Sequence, residues 1–442
     1  MHHNYAPYSP SPGIPAERLS MKADQLFPHF ACSVSLCLVV FSMGCVRPPS
    51  TLSTPHDTQR RSYEVSQASL THYAARQSRL IQKLSTAKAL PVPRRLDEII
   101  NAAKRDDWHT LSNLYSQTAM RSDWLQPTEI LPEQAAHLWQ PILDLYWTFW
   151  CIQDWGTSNS QAYVDQLLTG IPDRSVIFAG TDAGRFLLSL VLPEADSSIL
   201  IVSQNTLADS IYRDYARTRW GDGLWLPGDA EGYAAWDRIR SEPVPGGSVQ
   251  RDLSVEPTLD EIWSLNFELA RDVFQNNRAN FSFFVDTEFD VPWMLPYLEP
   301  HGFLMRLAPS RVAPISPEAA AADFAFWNMW VARSAERPVA RSGLSFRAAL
   351  ARMRSASASI YIYHEQYALA EKALRQALAM YPDSQQATFR LATVFLKTQR
   401  TEDARALLLA YQSRFPSLQS VARYLENVDS FQKAWDHVRK TE

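Results

Sequence analysis

Two residue types that carry much of enzyme chemistry are missing from the middle of this chain. No histidine lies between His137 and His301, and no lysine lies between Lys104 and Lys372. The histidine gap excludes a Ser-His-Asp arrangement and an HExxH zinc site within it. The lysine gap excludes a phosphate-loop lysine and a Schiff-base lysine. Carboxylate chemistry is what remains available to this stretch.

Cysteine is also scarce. Cys32, Cys37 and Cys45 lie near the N-terminus, and Cys151 is the only other cysteine. A single thiol beyond residue 45 cannot form an internal disulfide, and no CxxC zinc motif occurs. We expect Cys151 to be a buried apolar residue and not a nucleophile, because no histidine is near it in sequence. We therefore expect no metal site and no cofactor.

Charge of either sign is not in large excess. The 442 residues include 43 basic and 47 acidic side chains, which give a net charge of -4. A general nucleic-acid binder needs a basic excess, so we expect no nucleic-acid partner. Hydrophobic residues make up 46% of the chain, which excludes a disordered protein.

The N-terminus has the pattern of a targeting signal. Lys22 precedes an apolar stretch at residues 30–43, which is too short to span a bilayer that needs about 20 residues. We interpret this as a signal peptide, with Met21 as an alternative start of the chain. Gly44 and Cys45 follow the apolar stretch and resemble the bacterial lipoprotein signal, in which the cysteine is lipidated.

The position three residues before that cysteine is Ser42, where lipoprotein signals usually have leucine. A plain membrane anchor and an ordinary cleaved signal therefore stay open as alternatives. On the lipoprotein interpretation, Cys45 is the lipidation site and the protein is exported, membrane-anchored and located on the periplasmic side of the cell envelope.

Changes of composition and periodicity divide the chain into six parts. These are a signal peptide at 1–44, a lipid-anchored polar tether at 45–95 that passes into a solvated helix, a helical region at 96–170, an α/β domain at 171–310, a linker or helical connection at 311–343, and a helical repeat array with a capping helix at 344–442.

Short apolar runs alternate with helical patterns in the middle of the chain. The runs lie at residues 175–179, 198–202, 281–285 and 302–307. The segments between them include a Gly- and Pro-rich interval at 221–257, a helix capped by Thr258 and a short helix at 292–298. Strands that are apolar throughout and separated by helices predict a parallel sheet that is covered on both faces. The predicted fold class is therefore α/β, with a small parallel Rossmann-like sheet preceded by helices and followed by α-helical repeats.

The C-terminal part contains a repeat with a period of 34 residues. Ala358, Tyr361, Ala370 and Pro382 recur as Ala392, Phe395, Ala404 and Pro416. The period and the residue classes resemble the tetratricopeptide repeat, in which small residues let paired helices approach each other. A helix at 418–440 is predicted to cap the array. Such arrays imply a protein partner.

Ligands of parallel sheets bind beyond the carboxyl ends of the strands. Eight polar residues follow the predicted strands there and are the candidate ligand-binding residues, with a sugar or a phosphate-containing molecule as the ligand: Thr181, Asp182, Arg185, Gln204, Asn205, Asp209, Asp286 and Glu288. Asp286 and Glu288 could also act as acid and base. The alternative is structural, with Asp182 capping its helix and Arg185 paired to a neighbouring carboxylate.

Three segments carry a family resemblance. Residues 176–186 (VIFAGTDAGRF), 201–209 (IVSQNTLAD) and 292–302 (PWMLPYLEPHG) look like the extramembrane part of bacterial protein O-mannosyltransferase-like membrane proteins. The resemblance covers roughly 160–307 and the repeats to 416. It implies a soluble α/β region followed by tetratricopeptide repeats. The multispanning portion that would carry glycosyl transfer is missing here, so transferase activity does not follow.

Three kinds of function are consistent with these features, one of which is a structural envelope lipoprotein that binds no ligand. Of the other two, the first is a lipid-anchored, non-catalytic scaffold that binds a protein partner and is auxiliary to envelope glycosylation. The second is a carboxylate-dependent glycosyl-transfer or hydrolytic enzyme that uses Asp182, Asp286 and Glu288. The missing histidine and lysine favour the first, so catalytic residues are not assigned.

The lipoprotein interpretation makes a direct prediction. Replacement of the lipidated thiol by Cys45→Ser removes the attachment point of the acyl chains, so the protein should leave the membrane fraction. Fractionation of cells that express either form measures this. Unchanged partitioning of the variant would show that Cys45 is not the anchor.

Overall fold

The structure is a computed structural model that describes residues 64–119, 129–131, 133–180, 183–192, 198–241, 258–286, 291–336, 341–426 and 428. By their contacts, all described residues belong to one compact unit. The predicted signal peptide and Cys45 lie outside the described residues.

Five helices precede the sheet. They are α1 (Gln67–Lys88), α2 (Arg94–Lys104), α3 (Trp108–Ser116), α4 (Trp139–Trp155) and α5 (Thr157–Leu168). Helix α4 is aromatic on several sides, and its residues Leu145, Phe149 and Ile152 are buried, as expected of a packing helix. No helix of the described residues is both long and apolar enough to cross a membrane.

Helix α1 is not the solvated end of a polar tether. Leu70, Tyr73, Leu80 and Ile81 form a buried face, and α1 packs against α2 and α4. The side chain of Arg76 donates to the carbonyls of Leu192 at 2.7 Å and Ser189 at 3.0 Å, at the end of the helix that follows the first strand. The polar composition of α1 favoured a solvated helix because long polar side chains cover its outer face.

The sheet has five strands. They are β1 (Ser175–Ala179), β2 (Ile199–Ser203), β3 (Ser282–Asp286), β4 (Leu298–His301) and β5 (Leu304–Leu307), in the order β2-β1-β3-β5-β4. Strand β1 pairs in parallel with β2 and β3, in registers that place Ser175 opposite Ile199 and Ser282. All residues of β1 and β2 are buried, which explains their continuous apolar sequence.

The expectation of a purely parallel sheet is wrong. Strand β5 pairs antiparallel with β3, and β4 pairs antiparallel with β5. The turn between β4 and β5 contains Gly302 with a φ of 62° at its first position, which a glycine adopts without strain. The predicted short helix at 292–298 is instead a 3-10 turn at Leu295–Tyr297 followed by β4.

Helices connect and flank the strands. They are α6 (Ala183–Val191), α7 (Ser210–Trp220), α8 (Asp229–Ser241) and α9 (Leu259–Asn277). Thr258 and Glu261 form a capping box at the start of α9, as the sequence predicts for Thr258. Helix α8 lies in the interval 221–257, whose glycines and prolines favoured a loop, and it was not predicted.

Helices make up most of the described residues after 316, and the described residues as a whole are 71% helical. The helices are α10 (Pro317–Glu336), α11 (Arg341–Tyr363), α12 (Tyr367–Met380), α13 (Gln385–Lys397) and α14 (Thr401–Arg414), and residues 419–426 start a further helix. The fold is thus mostly helical, with a small mixed sheet.

The helices α11 to α14 form two antiparallel pairs that match the 34-residue period. The alanines of the repeat, Ala358, Ala370, Ala392 and Ala404, are fully buried. Small side chains there let the paired helices approach closely. The prolines follow the ends of α12 and α14, where they stop the helices. Only the first part of the predicted capping helix at 418–440 belongs to the described residues.

A buried ion pair joins the repeats to α10. Arg354 of α11 is fully buried and donates to Asp323 of α10 at 2.7 Å and to Gln376 of α12 at 2.9 Å. The hydroxyl of Tyr361 donates to the same Asp323 oxygen at 2.7 Å. Burial raises the pKa of Tyr361, and the Asp323 charge raises it further. Three helices therefore share one polar centre.

This centre predicts a double-mutant result. Asp323→Leu should destabilise the protein by about 3–5 kcal/mol, because the Arg354 guanidinium stays buried without its counter-charge. Asp323→Leu combined with Arg354→Met should recover most of that loss, because no buried charge is left. Urea unfolding followed by circular dichroism measures both changes.

The matched control is Arg375→Met, which breaks an ion pair to Glu371 that is exposed on the arginine side. It should cost less than about 1 kcal/mol. A double variant that is as unstable as the sum of its single variants would contradict the assignment of the cost to an unpaired buried charge.

Candidate functional site

The structure describes five of the eight predicted ligand-binding residues. Thr181, Asp182 and Glu288 lie outside the described residues, so their convergence with the others stays a prediction. Arg185, Gln204, Asn205, Asp209 and Asp286 are placed, and each of them has a clear local environment.

Arg185 points into the protein and pairs with a carboxylate. Its side chain is 6% exposed, and its Nη2 lies 2.9 Å from Oδ1 of Asp144 in α4. Its Nη1 lies 3.5 Å from the carbonyl of Gly180 at the end of β1. This is the structural alternative that the sequence left open for Arg185. The guanidinium ties the turn after β1 to the helical layer.

Asp144 is the centre of a larger buried cluster, the Asp144 cluster. Its Oδ2 accepts from the hydroxyl of Tyr215 at 2.7 Å and from Nη1 of Arg219 at 3.3 Å, both on α7. Its Oδ1 also accepts from the amide of Gln140 at 2.9 Å. Asp144 and both arginines are less than 10% exposed. Three helices, α4, α6 and α7, thus converge on one carboxylate.

Burial and the charge of Asp144 raise the pKa values of two neighbouring tyrosines. Burial raises the pKa of Tyr215 well above its ordinary value, although the Arg219 cation counteracts the increase. Burial also raises the pKa of Tyr73 of α1, and the Asp144 charge adds to it. Both hydroxyls therefore stay protonated at neutral pH, which leaves Tyr215 as a hydrogen-bond donor to Asp144.

Asp286 ends β3 and is 2% exposed. A Cβ atom on Gly184 would collide with its carboxylate and would lie 2.5 Å from the hydroxyl of Tyr163. The backbone of α6 can approach β3 this closely because residue 184 is glycine. The amide of Gly180 donates to the carbonyl of Asp286 at 3.3 Å, which joins the ends of β1 and β3.

Gln204 and Asn205 follow β2 directly. Gln204 is 2% exposed, and its backbone amide donates to the carbonyl of Ala179 at 3.1 Å. The side-chain oxygen of Asn205 accepts from the hydroxyl of Ser203 at 2.7 Å. These contacts close the turn after β2, and they account for the side chain of Asn205 locally.

Asp209 caps α7 and lines a cleft. Its carboxylate accepts from the amide of Ile211 at 2.9 Å, an N-terminal cap that the sequence did not predict for this residue. The cleft has a volume of about 510 Å³ and lies between α7, α8 and α9. Asp229, Tyr233 and Trp236 of the unpredicted helix α8 form one wall.

A buried arginine supports the floor of this cleft. Arg213 donates to the carbonyls of Leu207 at 2.8 Å and Ala208 at 3.1 Å, and its Nη2 lies 2.8 Å from Asp229, whose side chain is 72% exposed. Gly232 leaves the space that its guanidinium occupies. The arginine therefore holds α8 against α7. Among the described residues, no group of three or more His, Cys, Asp or Glu is placed to hold a metal ion.

The repeats present a second kind of candidate site. Their first helices, α11 and α13, contact each other directly. Arg390 of α13 donates to the hydroxyl of Ser355 of α11 at 3.3 Å. On its other side, Phe389 of α13 stacks on Tyr424 of the next helix with ring centroids 4.8 Å apart. The first helices therefore pack side by side along the array, and the next helix continues the stack.

Comparison with known proteins supports the repeat region. A tetratricopeptide-repeat family model matches residues 355–418, which include α12, α13, α14 and part of α11. No curated protein and no solved structure matches the chain. The predicted tetratricopeptide repeats are thus confirmed, and the resemblance to O-mannosyltransferase-like proteins stays a prediction. Repeats of this type support a protein-binding or scaffold role.

The Asp144 cluster predicts a large stability effect. Asp144→Asn keeps the shape of the side chain but removes the negative charge between Arg185 and Arg219. We expect a loss of about 3–5 kcal/mol in the free energy of unfolding, because breaking a buried pair leaves uncompensated charge. Guanidinium unfolding measures the loss.

Asp214→Asn is the matched control, since Asp214 is one-third exposed and pairs with Lys88 and Arg217. Its cost should stay below about 1 kcal/mol. If both variants lose the same small amount, the cluster does not hold the helical layer to the sheet.

Proposed function

We propose that this chain is a non-catalytic scaffold of the cell envelope that binds a protein partner through its tetratricopeptide repeats. The observation that carries the proposal is the repeat array, which the family model matches at residues 355–418. A protein-binding role follows from the class of repeat, because stacked helix pairs create extended binding surfaces.

The way the array is mounted supports a scaffold role. Helix α11 contacts α4 and the sheet on one side and packs against α12 and α13 on the other. The amide and carbonyl of Ile315 bond to the side chain of Gln366, in the turn between α11 and α12, at 3.1 and 2.8 Å. The array is thus held in a fixed position on the α/β part. A fixed position suits a module that orients a bound partner protein.

The finer part of the proposal concerns location. We place the protein on the periplasmic side of the envelope, anchored by a lipid on Cys45, with a role auxiliary to envelope glycosylation. The support is the sequence alone: the apolar stretch at 30–43, the Gly44–Cys45 pair and the resemblance of roughly 160–307 to O-mannosyltransferase-like proteins. A sugar or phosphate-containing ligand at the strand ends belongs to this finer part.

The second candidate is an enzyme that uses Asp182, Asp286 and Glu288. The observation in its favour is the burial of Asp286 beside Gly184 and Tyr163, in an enclosed position at the end of β3. The scaffold is favoured because Arg185, the one cation of the predicted edge, is paired inside the Asp144 cluster.

Site-directed photo-crosslinking tests the scaffold proposal. A benzoylphenylalanine is placed at position 397, where Lys397 is exposed at the end of α13. A second variant carries it at position 233, where Tyr233 is 72% exposed on α8, away from the repeats. Irradiation of intact cells should give a discrete adduct from position 397 and none from position 233.

Mass spectrometry of the adduct then tests the finer part. A glycosyltransferase in the adduct supports the auxiliary role in glycosylation, and any other envelope protein restricts the proposal to protein binding. Identical adducts from both positions, or none from position 397, would contradict a partner that binds the repeats.

A further inference from the structure

The cleft between α7, α8 and α9 has the size of a small-molecule site. Its volume is about 510 Å³, and sites for small ligands commonly measure about 300–1,000 Å³. A stable protein interface instead needs a broad face of about 800 Å² on each partner. Of the described candidates at the strand ends only Asp209 lines this cleft, so it is a different place from the carboxyl edge of the sheet.

Apolar and aromatic side chains form two walls of the cleft. Ile262 and Leu265 line it from α9, and Tyr233 and Trp236 line it from α8, three positions apart on one side of the helix. Tyr233 is the most exposed large hydrophobic side chain of the described residues, and its ring stacks on no other ring and no cation among them. Arg240 covers one face of the Trp236 indole at 4.4 Å, which helps to hold that ring in place.

Hydrogen-bonding groups surround these rings. Asp229 uses Oδ1 to accept from Arg213 at 2.8 Å, which leaves its Oδ2 to accept from a ligand. The hydroxyls of Ser210 and Tyr233 and the indole N–H of Trp236 have no hydrogen-bond partner among the described residues. Donors and acceptors therefore line the same cleft as the aromatic rings, which is the composition of a site for a polar ligand with an apolar face.

The charges of the cleft favour a neutral ligand. The carboxylates of Asp209 and Asp229 repel an anion, and the guanidinium of Arg213 already neutralises Asp229. A cation brings only hydrogen-bond donors, so it leaves the two hydroxyls and the indole N–H of the cleft unmatched. A ring that carries several hydroxyls both donates and accepts, and its C–H face packs on an aromatic ring.

We propose that this cleft binds the pyranose ring of a saccharide. The C–H face of the sugar lies on Tyr233, and its hydroxyls donate to Asp229 and accept from Ser210 and Trp236. Arg213 is a positioning residue, because its bonds to the carbonyls of residues 207 and 208 and to Asp229 hold α8 against α7. This inference goes beyond the scaffold role, since it uses no residue of the repeats.

Saturation-transfer NMR with the full chain tests the proposal. The probes are the methyl glycosides of glucose, galactose, mannose and N-acetylglucosamine, each titrated separately to obtain its Kd. Choline and inorganic phosphate are the cationic and anionic comparisons. We expect at least one glycoside to bind more tightly than both ions, with the strongest transfer to the C–H protons on one face of its ring.

Variants of the cleft locate the binding. Tyr233→Ala removes the exposed ring and should weaken the binding of that glycoside about tenfold, whereas Tyr233→Phe keeps the ring and should weaken it less than about threefold. Asp229→Asn keeps an oxygen for Arg213 but removes the charged acceptor, so we expect a loss of about fivefold. The matched control is Tyr363→Ala on α11, where Tyr363 is also exposed, and it should change the Kd less than about twofold. Circular dichroism checks that each variant is folded.

Trisaccharides distinguish a free sugar from the end of a glycan chain. Tighter binding of maltotriose or triacetylchitotriose than of the methyl glycosides would support a glycan chain, and equal or weaker binding would support a free sugar. The saccharide proposal is overturned if no glycoside receives saturation, if choline or phosphate binds more tightly, or if Tyr233→Ala binds as well as the unaltered chain. Equal losses in Tyr233→Ala and Tyr363→Ala would also overturn it, because the binding would then not lie in this cleft.

Discussion

The buried carboxylate of Asp144 is the constraint on which the α/β part depends. A carboxylate away from water is stable only when cations and donors surround it, and here Arg185, Arg219, Tyr215 and Gln140 do so. These partners come from α4, α6 and α7, so the three helices must keep fixed positions relative to each other. Arg185 also holds the turn after β1 in a fixed position. The position of this turn determines which polar groups at the carboxyl edge of the sheet can contact a ligand.

A second buried ion pair, Arg354–Asp323, supports the stability of the repeat array. Two tetratricopeptide repeats are fewer than the roughly three that such arrays need to be stable alone. Arg354 and Asp323 attach α11 and α12 to α10, and α11 also packs on α4 and the sheet. The α/β part therefore packs where a preceding repeat would pack in a longer array. It covers the apolar side of α11 that would otherwise face water.

Local sequence patterns predicted most of the helices and strands. They could not predict how strands pair or which distant side chains form contacts. The runs at 175–179 and 281–285 are strands within one residue, because continuous apolar runs fit a doubly covered sheet. The direction of β5 was not predicted because an apolar run has the same sequence pattern in either direction, although Gly302 at the start of the run was a usable turn signal. The partner of Arg185, Asp144, lies 41 residues earlier, and no local pattern in either segment indicates that the two side chains pair.

Three of the candidate residues at the strand ends have internal roles that compete with ligand binding. Arg185 neutralises Asp144, Asp209 caps α7, and Asn205 closes the turn after β2. A polar group that is committed to the fold can bind a ligand only by giving up that contact, which costs free energy. This cost is why the proposed function rests on the repeat array, which a family model matches, and not on the edge of the sheet.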